Sequence, residues 1–300
     1  MQKLLFILLL AIVPHVYGND VTEYLVKYKK TGISDFNLEQ KIIQRTDFDV
    51  LVNELTRFYI DTVINVRQKA YYLTYRNAFI NKSHQSLAIN ILLRGCSDRN
   101  GGIIGQNLEF LKNFNIVDFD RQSLQTINLQ LANSRIQHYK ELVLLAGFVG
   151  TGKDILYQKW LESQNNAATK WFISLALARM ANSENISYCV NMVKTLPIND
   201  NLIDNIIPDL IYTRQRECID LCVKILNNNE KLCHSLNPDD ESHINCGFRI
   251  LELLAPIVIN IPLKVDATGI VYSGNYEELL NKVKKWFLDN PKYQIQTDKY

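Results

Sequence analysis

The chain has 300 residues, with 33 Lys and Arg against 31 Asp and Glu, a formal net charge of +2. The basic residues are spread out with no dense run, so electrostatics makes no case for nucleic acid as a partner. Glycine and proline are few, 12 and 7, which argues against disorder and against a many-turned all-β fold.

The N-terminus has three parts. Lys3 supplies one positive charge, Leu4 to Val13 is almost purely apolar, and Pro14 and a short stretch lead to Gly18 before Asn19-Asp20. This is the layout of a secretory signal peptide over residues 1–18, with Val16 and Gly18 where a signal peptidase reads. The apolar run is too short to span a bilayer, which takes roughly 20 residues. No cysteine at the cleavage site offers a lipoprotein anchor. No later segment is long and uncharged enough to cross a membrane. The expectation is a periplasmic or secreted chain with no stable membrane anchor after cleavage.

Beyond that point the periodicity is helical. Leu51, Leu55 and Phe58 begin it. Ile219, Cys222, Val223 and Leu226 fall at i, i+3, i+4 and i+7, and Leu251, Leu254, Ala255 and Val258 repeat that spacing. Leu279, Val283, Trp286 and Phe287 follow in a later phase. Such stripes bury one helix face. Val265 to Tyr272 alone has some strand character. Turn residues at Asn81-Lys82-Ser83, Ser97 to Gly102, Asn165-Asn166, Asn182-Ser183, Pro197 to Asn201, Asn227 to Asn229 and Pro238 to Asp240 cut the chain into short helices.

A repeat emerges from direct alignment. Leu144 to Leu161 matches Leu175 to Met192, 31 residues on: Leu144 meets Leu175, Val149 meets Met180, Ile155 meets Ile186, and Tyr157 meets Tyr188. A further step of 33 sets Cys189 to Val193 against Cys222 to Leu226. Each unit reads as apolar helix, tight turn, second apolar helix. The turns fall at Thr151 to Asp154, Asn182 to Asn185 and Thr213 to Glu217. One hairpin cannot bury its face alone, but stacked hairpins can.

This pattern resembles HEAT repeats, and more loosely the HEAT-like repeats of secreted bacterial proteins. The resemblance rests on Val66 to Ala70, on Ala146 to Gly150 before a turn and second helix, and on the aligned units; it spans roughly residues 60 to 260. Regular prolines in the first helix of each unit are missing. It implies an all-α fold, a right-handed α-solenoid of stacked helical hairpins, and a scaffolding role with no catalytic residues to carry over. The expected organisation is a lead-in over 19–36, the repeat domain over 37–290 and a polar C-terminal tail over 291–300. Trp286 and Phe287 would belong to a terminal cap.

Several motifs imitate chemistry. Gly147 to Asp154, GFVGTGKD, approaches a P-loop, with Lys153 as its lysine. Asp154 stands where the magnesium-binding hydroxyl belongs. Asp98 to Glu109 has oxygen ligands at calcium-loop positions 1, 3 and 12, but glycine at 5 and Ile103 at 6. Cys233, His234, His243 and Cys246 are the densest group of metal-ligating types. Three readings stand: a Cys233–Cys246 disulfide, free thiols, or zinc. Cys218 and Cys222 share a helix face, and Cys189 and Cys222 share a repeat position, which suits core packing. His84 and His138 have no nearby nucleophile. Asn81-Lys82-Ser83 and Asn185-Ile186-Ser187 match the N-glycosylation pattern. Tyr71, Tyr72, Tyr75 and Phe79 form an aromatic stripe at helical spacing, either core packing or an exposed contact surface.

No cofactor and no catalytic set is indicated, and no oligomeric state. The leading expectation is an exported scaffold that binds another protein on a concave face lined by the second helices. The first alternative is a helical enzyme acting on carbohydrate, for which Glu162, Glu184 and Glu217 sit near repeat turns but are not paired. A weaker one is a nucleotide-dependent protein using 147–154.

Overall fold

The computed structural model describes residues 20–235, 242–264, 271 and 275–300. The signal-like segment, the loop at 237–241 and, apart from Val271, the Val265 to Tyr272 stretch lie outside the described residues. Fifteen α-helices and four two-residue strands make up the described chain, so the fold is all-α. The chain divides into two compact units, residues up to Lys82 and residues from Ser83.

The first unit holds α1 (Asp20–Thr31), α2 (Phe36–Ile43), α3 (Phe48–Leu55) and α4 (Ile64–Ile80). Helix α1 fills most of the lead-in over 19–36. Its spacing of Val21, Tyr24 and Leu25 forms one buried edge, and α1 packs on α2, α3 and α4. α2 is capped at both ends. Asp35 accepts the Leu38 amide at its start. At its end the amide of buried Asn77, on α4, donates to the Ile43 and Arg45 carbonyls at 2.9 and 2.8 Å. Buried Glu39 accepts Tyr24 Oη and Lys69 Nζ, so its charge is not left alone. Arg45 is likewise answered by Asp47 and Glu54.

The second unit continues with α5 (Gln85–Gly95), α6 (Gly101–Leu111), α7 (Arg121–Leu131), α8 (Tyr139–Val149), α9 (Lys153–Glu162), α10 (Ala167–Arg179) and α11 (Ser183–Lys194). A π-helical turn, Leu202–Ile206, then precedes α12 (Ile207–Tyr212), α13 (Arg216–Leu226), α14 (Gly247–Leu254) and α15 (Tyr276–Asp289). Strand β1 (Cys233–His234) pairs antiparallel with β2 (His243–Ile244), and β3 (Val258–Ile259) with β4 (Gln294–Ile295). Neighbouring helices touch at α5–α6, α7–α8, α9–α10, α10–α11, α12–α13, α13–α14 and α14–α15, and alternate ones also do: α6 on α8, α8 on α10, α10 on α12 and α12 on α14, with α5 on α7, α7 on α9 and α11 on α13.

Asparagine and aspartate start these helices. Asn100, Asp120, Asn166, Asn182 and Asn275 each accept a backbone amide from the first turn, satisfying a donor that the helix leaves open. Three helix ends share another device. Gly150, Ala181 and Arg214 take positive φ of 75°, 58° and 55° just after α8, α10 and α12. They lie 31 and 33 residues apart. After α8 and α10 the next amide folds back onto the helix, Thr151 to Ala146 and Asn182 to Leu177, as in a Schellman closure.

Gly147 lets α8 approach α10 closely. A Cβ there would stand 2.7 Å from the Ala176 Cα and 2.4 Å from the Tyr212 hydroxyl. Substituting Gly147→Val should therefore cost about 1–3 kcal/mol by overpacking. Thermal unfolding should show a midpoint several degrees lower with helical circular dichroism retained at low temperature.

Candidate peptide-binding groove

Pro291 follows α15, where the helix ends with Asn290. The residues that read as a polar tail then return across the second unit. Tyr293 packs edge-on to Phe287 at 5.1 Å, lies under the Arg216 guanidinium at 3.8 Å, and donates from Oη to Asp220 at 2.6 Å. β4 pairs with β3, and the Gln296 amide donates to the Ile257 carbonyl at 2.8 Å. From there three arginines hold the backbone. Arg179 Nη2 donates to the carbonyls of Thr297 at 2.8 Å and Lys299 at 2.7 Å. Arg214 Nη2 donates to the Tyr300 main-chain oxygen at 3.0 Å. Arg216 donates to that of Tyr293. The segment thus runs backwards along the chain order, from α13 towards α8.

The far end of the groove is aromatic. The Tyr300 ring sits 5.5 Å from Phe148 and 5.4 Å from Tyr212, with Lys112 Nζ 4.9 Å above it. Arg179 is held between the same two rings, 5.5 Å from each. Phe148, Arg179 and Tyr212 each lie two residues before a left-handed turn residue. They hold corresponding places before these three turns, and Arg179 between the two rings makes an aromatic–arginine–aromatic ladder. Tyr212 is anchored by a hydrogen bond from its hydroxyl to the Leu144 carbonyl.

The electrostatics are unusual. Among the described residues, no Asp or Glu side chain lies within ion-pair distance of Arg179, Arg214 or Arg216. Burial lowers the Arg179 guanidinium, and burial with the neighbouring Arg179 brings Arg214 down to about 10. Both remain charged at neutral pH. Burial also pushes the Tyr212 and Tyr300 phenols up, so both are neutral there. Arg214 Nε and Arg216 Nη1 are buried donors that meet no acceptor. Below the ladder, Trp171 Nε1 donates to Asp209 at 2.6 Å.

The residues singled out by sequence fall elsewhere. The aromatic stripe splits: Tyr71 is buried and stacks on Tyr59 at 4.9 Å, while Tyr72 and Tyr75 are half-buried beside Lys69 and Phe79. In GFVGTGKD the residues before the glycines are helix α8 rather than a strand, and the segment is the α8–α9 turn. Thr151 donates to Asn128 rather than facing an open cradle. Asp98 and Asn100 spend their side chains on the turn and cap that begin α6.

Cys233 and Cys246 are joined in a disulfide with an S–S distance of 2.06 Å. Their sulfurs are therefore not available as zinc thiolates. Among the described residues no three metal-ligating side chains converge. His234 instead bonds Asp200, which also meets Arg249. Cys96, Cys189, Cys218 and Cys222 are buried free thiols. His138 caps α8 in a left-handed conformation, and His84 closes a 3-10 turn. Glu162 ends α9, Glu184 accepts from Tyr157, and Glu217 begins α13, so each belongs to a different helix. Asn185 is wholly buried, and Asn81 donates to the Arg45 carbonyl, so neither glycosylation motif presents a free surface amide.

The groove escaped the sequence because Arg179 and its acceptors stand 118 and 120 residues apart. One signal was nonetheless present. The 31-residue alignment places Arg179 opposite Phe148, a charge in an apolar column. The chain matches no protein family, no curated protein and no solved structure.

Two outcomes follow. Replacing Cys233 and Cys246 by serine opens a short loop and should cost about 3 kcal/mol. The same loss should appear in the parent under reductant, and reductant should not shift the double variant's melting. Burial raises the Asp209 carboxyl above the usual carboxylate range, against the Trp171 hydrogen bond and Lys140. A raised folded pKa means that stability is lost as pH rises through it. Asp209→Asn removes that loss. Its melting midpoint should exceed the parent's at pH 7, and the gap should close as pH falls towards about 4.

Proposed function

We propose that this chain is an exported interaction scaffold, a right-handed HEAT-like solenoid of stacked helical hairpins that binds another protein. The observation that carries the reading is the groove: repeat-equivalent residues at successive hairpin turns already grip an extended stretch of polypeptide. Contacts between alternate helices and left-handed turn residues 31 and 33 apart support the stacking. The Cys233–Cys246 bond and the signal-like residues 1–18 support a periplasmic or secreted location. The binding residues would lie chiefly at the ends of the first helices and the turns after them, rather than on the second helices.

The test uses the natural chain expressed from its own start codon. Protein recovered outside the cytoplasm should begin at Asn19 on N-terminal sequencing. Affinity purification of that protein should bring down one stoichiometric partner, and Arg179→Ala should release it at least tenfold. Retention of Met1 in a cytoplasmic pool, or turnover of a polymer by the purified chain, would sink the reading.

A further inference from the structure

The tryptophans of this chain are spent differently. Trp160 donates its indole N–H to Ser174 at 2.7 Å, and Trp171 to Asp209 at 2.6 Å. Trp286, on α15, is half-buried against Phe287, and among the described residues its N–H meets no acceptor. It lines an open cavity of about 410 Å³, within the range of small-ligand sites. The fold fixes the other walls. Ile259 and Gln294 stand opposite each other on the β3–β4 pair, so both side chains leave one face, while Val258 on the other face is buried. Tyr293 adds a wall that Phe287, Arg216 and Asp220 hold in place. The rim is polar. Asn260 and Gln294 line it, and among the described residues neither side chain has a partner. Asn260 holds a φ of 62°, a left-handed conformation that costs strain outside glycine and that asparagine bears best. Asp289 completes the rim, with exposed Lys285 at 3.3 Å, a pair worth little in water.

We infer that this cavity binds a neutral, β-linked saccharide of the gluco type. The hydroxyls of such a sugar are equatorial, which leaves two apolar faces of C–H groups. An aromatic face carries partial negative charge and attracts those C–H groups, so the Trp286 ring is the platform. Neighbouring equatorial hydroxyls present a donor and an acceptor side by side. A carboxamide answers with one of each, as Asn260 and Gln294 do, and a carboxylate accepts from two hydroxyls, as Asp289 does. The free indole N–H donates to a sugar oxygen. Among the described residues Asp289 is the one carboxylate lining the cavity. The sugar is therefore held rather than cleaved, because glycoside hydrolysis takes a pair of carboxyl groups. The site shares Tyr293 with the peptide groove and does not depend on the scaffold reading.

Titration of the full chain with cellotriose, followed by intrinsic fluorescence and by calorimetry, tests this. Cellotriose should change the tryptophan emission saturably. Trp286→Phe should remove that change, since Trp160 and Trp171 are engaged elsewhere. By calorimetry, Trp286→Ala should lose binding. Asn260→Gly deletes the amide at a backbone conformation that glycine adopts freely, so the fold keeps its stability. Asn260→Gly and Gln294→Ala should each weaken cellotriose by up to about tenfold, the worth of one good hydrogen bond, with the melting midpoint of Asn260→Gly no lower than the parent's. Galactotriose with the same β linkage carries an axial oxygen on each ring and should bind several-fold more weakly. Circular dichroism confirms that each variant is folded. A cellotriose titration with no saturable response up to tens of millimolar would overturn the site. Full affinity in folded Trp286→Ala would overturn the platform, and full affinity in both rim variants would overturn the rim. Adenosine bound as tightly as cellotriose would replace the saccharide with any flat ring.

Discussion

A helix that stops in a left-handed residue reverses its chain within one turn and leaves its last carbonyls facing that turn. In the second unit this happens after α8, α10 and α12 at corresponding positions. Because these helices pack on one another, their ends stand in a row, and whatever side chains precede the turns stand in a row too. The close approach permitted by Gly147 against Ala176 sets the spacing of that row. The groove is a consequence of this geometry more than of any motif. Gly150 adopts its conformation without strain, whereas Ala181 and Arg214 do not have that freedom. Arg214 is thus held in a costly backbone conformation at the position where its guanidinium meets the returning segment.

The ladder also shows how buried cations are tolerated. A guanidinium keeps its charge where a lysine would give it up, and it is more weakly hydrated. Arg179 offsets its lost hydration with two ring faces and three carbonyls. In the first unit the same problem has the opposite solution. Arg45 meets two carboxylates, and Glu39 meets Lys69. One arrangement is complete within the unit; the other still has donors to spare.

Much of the helical architecture was legible from the periodicity. Asparagine-rich breaks at 100, 166 and 182 became caps, because that side chain competes for backbone amides where a helix begins. The P-loop look-alike lies at the turn between α8 and α9, where glycines serve a left-handed closure as well as they would a phosphate. Helix α1 drew no reading of its own beyond a lead-in, because its short edge of Val21, Tyr24 and Leu25 adjoins the apolar leader. The groove was missed because it joins residues far apart in sequence. A polar composition at 291–300 concealed two tyrosines, Tyr293 and Tyr300, both of which become packed. Polarity there reflects a backbone read by arginines, where side chains are free to stay hydrophilic.

The unpaired cysteines have a consequence for how the chain acquires its shape. Cys189, Cys218 and Cys222 are close enough to influence one another, and burial pushes all three thiols up, Cys218 to about 11. A thiol in that state forms almost no thiolate, the species that attacks a disulfide. Once the α11–α13 packing closes, these sulfurs drop out of exchange, and Cys233 and Cys246 are left to find each other. In an unfolded chain nothing enforces that choice, and six sulfurs compete. The helical core thus acts as an editor of covalent connectivity: collapse must outrun oxidation, and a chain oxidised too early would lock in the wrong partner before its helices had packed.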